Sequence, residues 1–260
     1  MTNDVKYDKW YTIKLTVDLV SATLNQLSFL KQIDDIGHLY EGYYFERATY
    51  RYEHIWIPLL AQTEDNVNII APIDVQWIWH LHMLAPVVYL NDSRILCGKV
   101  LNHHLRSERE NLIEASKSKR IWENFSNVPY NYLEDFTKPR YLKSNIHYDL
   151  SSASLRQKAF LYQVSLPHFE NTLFLCRGID RYKKLLYAKK LYKDLVLPCF
   201  LIDLILHSHQ LHPLMYFNDM NLIFGDVLPH NSVDMFHNAE AAFFVSDERI
   251  REIWRTVRLI

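Results

Sequence analysis

Five glycines and nine prolines in 260 residues are too few for an all-β sandwich or barrel, whose many tight turns draw on both. Three cysteines, Cys97, Cys176 and Cys199, are odd in number and lack the spacing of a zinc knuckle, so no disulfide framework is expected and a reducing compartment fits. Neither charge sign dominates. Lys+Arg 29 against Asp+Glu 30 leaves a net charge of -1, so no global field draws the chain to nucleic acid or to an anionic membrane. The basic clusters Lys117 to Arg120, Lys183-Lys184 and Lys189-Lys190 are short and flanked by acids or tyrosines, and read as solvated helix faces; nucleic-acid binding is not expected. The N-terminal MTNDVKYDKW has no apolar core, and the longest apolar stretch, Ile73 to Leu90, is broken by Asp, Gln, His and Pro. No signal peptide, anchor or membrane span is therefore expected, and a cytoplasmic protein is. No Gly-x-Ser-x-Gly elbow, glycine-rich phosphate loop or His-Glu-x-x-His motif occurs, which leaves nucleophilic catalysis with little support.

What is present is helical patterning, and it is present twice. From Asp18 to Ile33, Leu19, Ala22, Leu27, Leu30 and Ile33 fall at helical spacing, with Gly37 as C-cap. A second helix is predicted from about Tyr40 to Leu60, with Arg47 and Arg51 one turn apart and Ala48, Tyr52, Ile55 and Leu59 on the opposite face. A shift of 131 residues sets Asp18 to Ile33 over Asp149 to Val164 with 9 of 16 positions identical. A shift of 127 sets His80 to His103 over His207 to His230 with 11 of 24 identical, and Arg51-Tyr52 matches Arg181-Tyr182 between these blocks.

Three blocks in one order at nearly one offset indicate two tandem copies of a roughly 130-residue helical unit. The expected architecture is all-α: residues 1–125 as the first repeat, 126–145 as a connector interrupted by Pro129 and Pro139, and 146–260 as the second. Packing about a pseudo-twofold axis would let each copy cover the apolar face of the other in one compact body. Each copy should hold four main helices, the fourth opening at Pro86 or Pro213 and closing at a left-handed Gly98 or Gly225. A last helix, about Ser246 to Val257, is expected without a counterpart in the first copy.

The residues kept in both copies are unusually polar: His80/His207, His82/His209, Tyr89/Tyr216, Asn91/Asn218, Asp92/Asp219 and His103/His230. Nine of the 13 histidines lie in these segments. Imidazole and carboxylate suit zinc or iron, which makes His80, His82, Asp92, His207, His209 and Asp219 candidate ligands of a transition metal shared by the copies. Two residues on a helix point about 200° apart, so His-x-His can serve one ion only if the helix ends there; the proline four residues on makes such an ending plausible. Asp203 and His207 form an i, i+4 pair; no paired Glu-x-x-His motif of a dinuclear site occurs. The plainer expectation is a satisfied polar network in which His80 and His207 donate to Asp92 and Asp219 or to carbonyls at the helix break, joined by Tyr89, His103, Asp203, Tyr216 and His230. A metal-free catalytic His–Asp pair is the third option.

PIDVQWIWHLHMLAP, Pro72 to Pro86, followed by Tyr89 and Asp92, resembles the central motif of the glycine-rich domain-containing protein family. Asp203 with LILHSHQLHP, Leu204 to Pro213, resembles its partner motif; Arg51-Tyr52-Glu53 to Trp56-Ile57-Pro58-Leu59 and Gln157 to Pro167 also look like family segments. Leu206 stands where a second Trp is usual, Gln76 where an acid is common, and Asn231-Ser232-Val233-Asp234 is a weakened form of an acidic stretch. No glycine-rich segment occurs in these residues, so the RNA association proposed for plant members is not carried over. The resemblance implies a duplicated helical domain linked in plants to growth and stress responses, with no transferable activity. The expected role is that of a scaffold binding an unidentified protein partner, with a metal-binding protein or metal-dependent enzyme as the alternative.

Overall fold

In a computed structural model of the chain, the described residues are 10–64, 69–103, 108–136, 144–192 and 198–228. Every regular element among them is helical. Helices α1 (Leu19–Ile36), α2 (Tyr43–Arg51), α3 (Ile57–Gln62), α4 (Ile73–Met83), α5 (Pro86–Cys97) and α6 (Glu108–Ser126) precede α7 (Leu150–Val164), α8 (Thr172–Tyr192), α9 (Phe200–Gln210) and α10 (Pro213–Phe224). The predicted all-α duplicated unit is thus what the chain forms. The expected helix over Ser246 to Val257 and the site residue His230 lie outside the described residues.

The retained sequence blocks are retained local structure. Asp18 caps α1 by accepting from the Ser21 amide and hydroxyl, at 3.3 and 2.7 Å, and Asp149 caps α7 through Ser152 at 3.0 and 2.6 Å. Pro86 and Pro213 open α5 and α10, where the missing N–H costs no helical bond. Gly98 and Gly225 close them at φ 71° and 79°, a region that a side chain would strain. Because Ala85 and His212 precede proline, they leave the helical region and turn α5 and α10 away from α4 and α9.

Helix α2 runs into α3 through one widened π turn, Tyr52–Trp56, in which the Ile57 N–H reaches back five residues to the Tyr52 carbonyl. Arg47 and Arg51 differ from the predicted solvated face: both are buried. The reason is the connector, which lies over them. Arg51 bonds the Pro129 and Tyr130 carbonyls at 2.9 and 2.8 Å, pairs with Asp74 at 2.8 Å and Asp135 at 2.9 Å, and lies 4.8 Å from the Trp122 ring centre. Arg47 bonds the Tyr132 and Asp135 carbonyls. Two guanidinium forks one turn apart therefore hold residues 129–135 against α2, a task that suits the planar five-donor group. Its copy-2 counterpart, Arg181, is exposed, since Leu201 stands where the first copy has Asp74.

The two copies interlock through their first helices. Helix α1 packs on α9 of the second copy, and α7 packs on α4 of the first. Ser208 on α9 donates into the Thr23 and Gln26 pair on α1, at 3.0 and 2.5 Å, and Ser154 on α7 donates to the Tyr40 carbonyl at 2.7 Å. Trp56, Trp77, Trp122 and Phe160 are sealed inside, with Trp56 set edge-on to Trp79 at 5.4 Å. Such ring pairs add about 0.5–1.5 kcal/mol beyond their buried area.

Arg51→Ala should destabilise the protein by about 3–5 kcal/mol, because it leaves Asp74 and Asp135 buried without their counter-charge. The exposed Arg181→Ala should change stability by less than about 0.5 kcal/mol. Urea unfolding followed by far-UV circular dichroism measures both; equal effects would contradict the assigned roles.

Candidate functional site

Helices α4 and α9 end within two residues of their second histidine, and that ending decides which imidazole meets which acid. His82 lies with Nε2 3.2 Å from Asp92 Oδ2, and His209 with Nε2 3.1 Å from Asp219 Oδ2. The prediction that His80 and His207 pair with these aspartates is therefore corrected: the second histidine of each motif does so. Two residues of helix rotate a side chain about 200°, so only His82 and His209 face the acids brought back by the corner into α5 and α10.

Each of these histidines is bonded on both sides. Tyr52 Oη sits 2.9 Å from His82 Nδ1, and Tyr182 Oη 3.0 Å from His209 Nδ1. Burial holds both tyrosines well above their ordinary value, so their hydroxyls donate. Burial also lowers His82 and His209, although the neighbouring aspartates work against it. The neutral rings then accept at Nδ1 and donate at Nε2 to the carboxylate.

The far side of each aspartate grips the other copy. Asp92 accepts from the His147 amide at 2.8 Å and meets His147 Nδ1 at 2.7 Å. Asp219 accepts from the Thr16 amide at 2.7 Å and its hydroxyl at 3.1 Å. Thr16 and His147 are themselves 131 positions apart, each two residues ahead of the capping aspartate of α1 or α7. Burial pushes Asp92 and Asp219 up, but the bonds from His82 and His147, and from His209 and Thr16, outweigh it and hold both carboxyls below their usual value. The π turn adds a second hold in the first copy. Glu53 accepts from the Ser144 hydroxyl at 2.7 Å and from the Asn145 amide and side chain at 2.8 Å each.

His80 and His207 face the aromatic side of the interlock instead. His80 lies 5.4 Å from Phe29 and 5.6 Å from Trp77; His207 lies 4.9 Å from the equivalent Phe160. Burial brings His80 down to about 3, and neither of its ring nitrogens has a hydrogen-bond partner among the described residues. His207 Nε2 is 3.6 Å from Asp203 Oδ2, the predicted i, i+4 pair, and burial pushes Asp203 up to about 8.

Tyr89 and Tyr216 fasten the chain after each glycine cap. Tyr89 Oη accepts from Trp79 Nε1 at 2.9 Å and donates to the Leu101 carbonyl at 2.7 Å; Tyr216 donates to Leu228 at 3.0 Å. His103 Nδ1 donates across the copies to the Leu211 carbonyl at 2.7 Å. Among the described residues no three His, Cys, Asp or Glu side chains converge in a manner that could hold a metal ion. The structure thus separates the six candidate ligands into two latches, His82–Asp92 and His209–Asp219, and two rings packed on phenylalanine.

Tyr52, Tyr182, Thr16 and His147 complete the latches and were not among the predicted site residues. Arg51-Tyr52 and Arg181-Tyr182 were visible as a repeated pair; Thr16 and His147 differ in type, and only their register to Asp18 and Asp149 marks them.

The model of the family described as glycine-rich domain-containing protein-like matches residues 2–92 and 93–219. Glycine-rich domain-containing protein 1 of Arabidopsis thaliana is 35% identical over 252 residues, covering 89% of this chain and 30% of that protein. Glycine-rich domain-containing protein 2 of the same plant is 34% identical over 246 residues, covering 88% of this chain and 31% of its own length. The chain therefore spans about a third of the length of these curated relatives. No solved structure matches it.

Asp203→Asn gives a pH-dependent outcome whose sign follows from linkage. A carboxyl raised in the folded state stabilises the fold below its unfolded value near 3.8, and that contribution is lost as pH rises toward about 8. The variant should match the wild type near pH 4 and become progressively more stable than it up to pH 8. Urea midpoints at pH 4, 6 and 8 check this, and a difference that shrinks with rising pH would contradict it.

Proposed function

The chain belongs to the glycine-rich domain-containing protein-like family, and from that premise we propose that it is a non-enzymatic helical scaffold that binds a protein partner in the cytoplasm, in growth or stress response. One observation supports this reading: the chemistry-bearing groups retained in both copies are engaged in holding the fold together. His82 and His209 are bonded at both nitrogens, Asp92 and Asp219 grip the entry to the other copy's first helix, and Tyr89 and Tyr216 hold loop carbonyls. The family resemblance supports the setting, and no helix among the described residues is long and apolar enough to cross a membrane.

A second reading, a zinc- or iron-binding protein, keeps one observation in its favour: the two unbonded nitrogens of buried His80. Elemental analysis of protein purified without an affinity tag separates the two. A stoichiometric transition metal, lost in His80→Phe without loss of fold, would favour the metal.

For the scaffold reading, His209→Gln should lower the melting temperature, since a buried partner left unsatisfied costs about 1–3 kcal/mol. It should still capture, below that temperature, the same protein partner as the wild type in an affinity pull-down. Turnover in an activity screen that vanishes in His209→Gln while the protein remains folded would sink the proposal.

A further inference from the structure

Constraint between the copies extends to a place where packing does not require it. On the outer face of α5, Val87, Asn91 and Ile95 are exposed at a spacing of four, and Lys99 continues the row just past the glycine cap. On α10 the row is Leu214, Asn218, Leu222 and Asp226. Each member stands 127 positions after its counterpart. Residues four apart lie along one helix face, so each row is a continuous ridge. Ile95 is 70% exposed and Leu222 73%, which makes them among the most solvated large aliphatic side chains described. A surface under no demand drifts toward polar residues, yet both copies keep aliphatic, Asn, aliphatic in the same register.

The fourth position is where the rows differ, and the difference is one of sign. Lys99, with exposed Arg94 beside Ile95, makes the end of the α5 row basic; Asp226 makes the end of the α10 row acidic, and Asn221 replaces Arg94. Like rows set side by side would oppose like charges. Unlike rows, laid parallel and in register, place Val87 on Leu214, Asn91 on Asn218, Ile95 on Leu222 and Lys99 beside Asp226. A facing Asn pair is the device that fixes register between helices, since each amide is satisfied only when the other is opposite.

We propose that the occupant of the α5 row is the α10 row of a second copy of this chain, so that the protein associates head to tail. This rests on the scaffold reading and names its homotypic partner. A contact between two different faces does not close on itself as a twofold dimer does; it propagates from chain to chain. The contact is small, as expected of a reversible assembly, and its charged end is weakened by salt.

Sedimentation equilibrium across a concentration series tests the proposal. The wild type should show a mass that rises with concentration beyond that of a dimer. Ile95→Glu and Leu222→Glu alter only exposed positions, so circular dichroism should be unchanged, and each alone should have the mass of one chain at every concentration. Their equimolar mixture should form a dimer and nothing larger, because one variant keeps a working α10 row and the other a working α5 row. Lys99→Asp should weaken association, and combining it with Asp226→Lys should restore it. A wild type that stays monomeric overturns the proposal, as does a mixture that stays monomeric, or association abolished by Ile95→Glu and untouched by Leu222→Glu. A monomeric wild type does not decide the scaffold reading, whose pull-down scores capture of a different protein.

Discussion

The interaction on which the structure depends is a carboxylate that cannot be satisfied within its own copy. Asp92 and Asp219 are almost wholly enclosed, and a buried carboxylate with unfilled acceptor sites is costly enough to prevent folding around it. Each takes one bond from the histidine of its own copy and the others from the residue that leads into the first helix of the other: His147 before α7, Thr16 before α1. The exchange is reciprocal, so neither repeat is complete alone. The same exchange seats α1 on α9 and α7 on α4, and the Ser208, Thr23 and Gln26 cluster forms where those helices cross. A twofold arrangement follows from the bonding and needs no separate cause.

Around that shared device the copies have diverged in compensated ways. The first copy keeps Arg51 and Asp74 as a buried pair and uses the arginine to hold the connector; the second has Leu201 in place of the acid, and Arg181 has moved to solvent. At the next position of interest the burden reverses, for Gln76 in the first copy is Asp203 in the second. An acid pushed up to about 8 carries its proton at neutral pH, so the two positions hold a neutral polar group alike. Trp79 lends its N–H to Tyr89, while Leu206 in the equivalent place leaves Tyr216 with its carbonyl partner on the same loop. Each change removes a charge or a donor together with its partner, the kind of paired loss that costs a fold least.

Much of this frame could be read from the sequence, and its failures have one physical source. Helices α1, α5, α7 and α10 announce themselves through Asp caps, Pro at the first turn and Gly in the left-handed region, which are local signals. The duplication supplied the pairing of copies. What could not be read was long-range partner choice. Arg47 and Arg51 looked like a solvated pair because their acceptors are carbonyls 78 to 88 positions away, and carbonyls carry no side-chain signature. The choice of His82 over His80 as the partner of Asp92 turned on how the chain bends at Ala85, after the helix whose periodicity was the guide. The π turn that aims Tyr52 at His82 and Glu53 at Asn145 inserts its extra residue without any compositional mark.

A buried Tyr–His–Asp chain has the outline of a proton relay, and the energetics argue for an anchor instead. General acid–base chemistry needs a group whose affinity for its proton lies near the working pH, so that giving and taking are both accessible. Here the environment drives the members apart. Burial raises Tyr52 and Tyr182 well above the phenol range, burial lowers His82 and His209, and four to five polar contacts hold Asp92 and Asp219 below the carboxylate range. At neutral pH each proton sits on the atom that binds it far more tightly than the next in line, on the tyrosine oxygen and on Nε2, and moving it toward Nδ1 or the carboxylate is uphill at both steps. A chain with its protons fixed in this way sets a single direction for every hydrogen bond from Tyr52 through His82 and Asp92 to His147, and from Tyr182 through His209 and Asp219 to Thr16. That is the property wanted of a joint between two halves of a protein, because only one seating of the partner segment satisfies it.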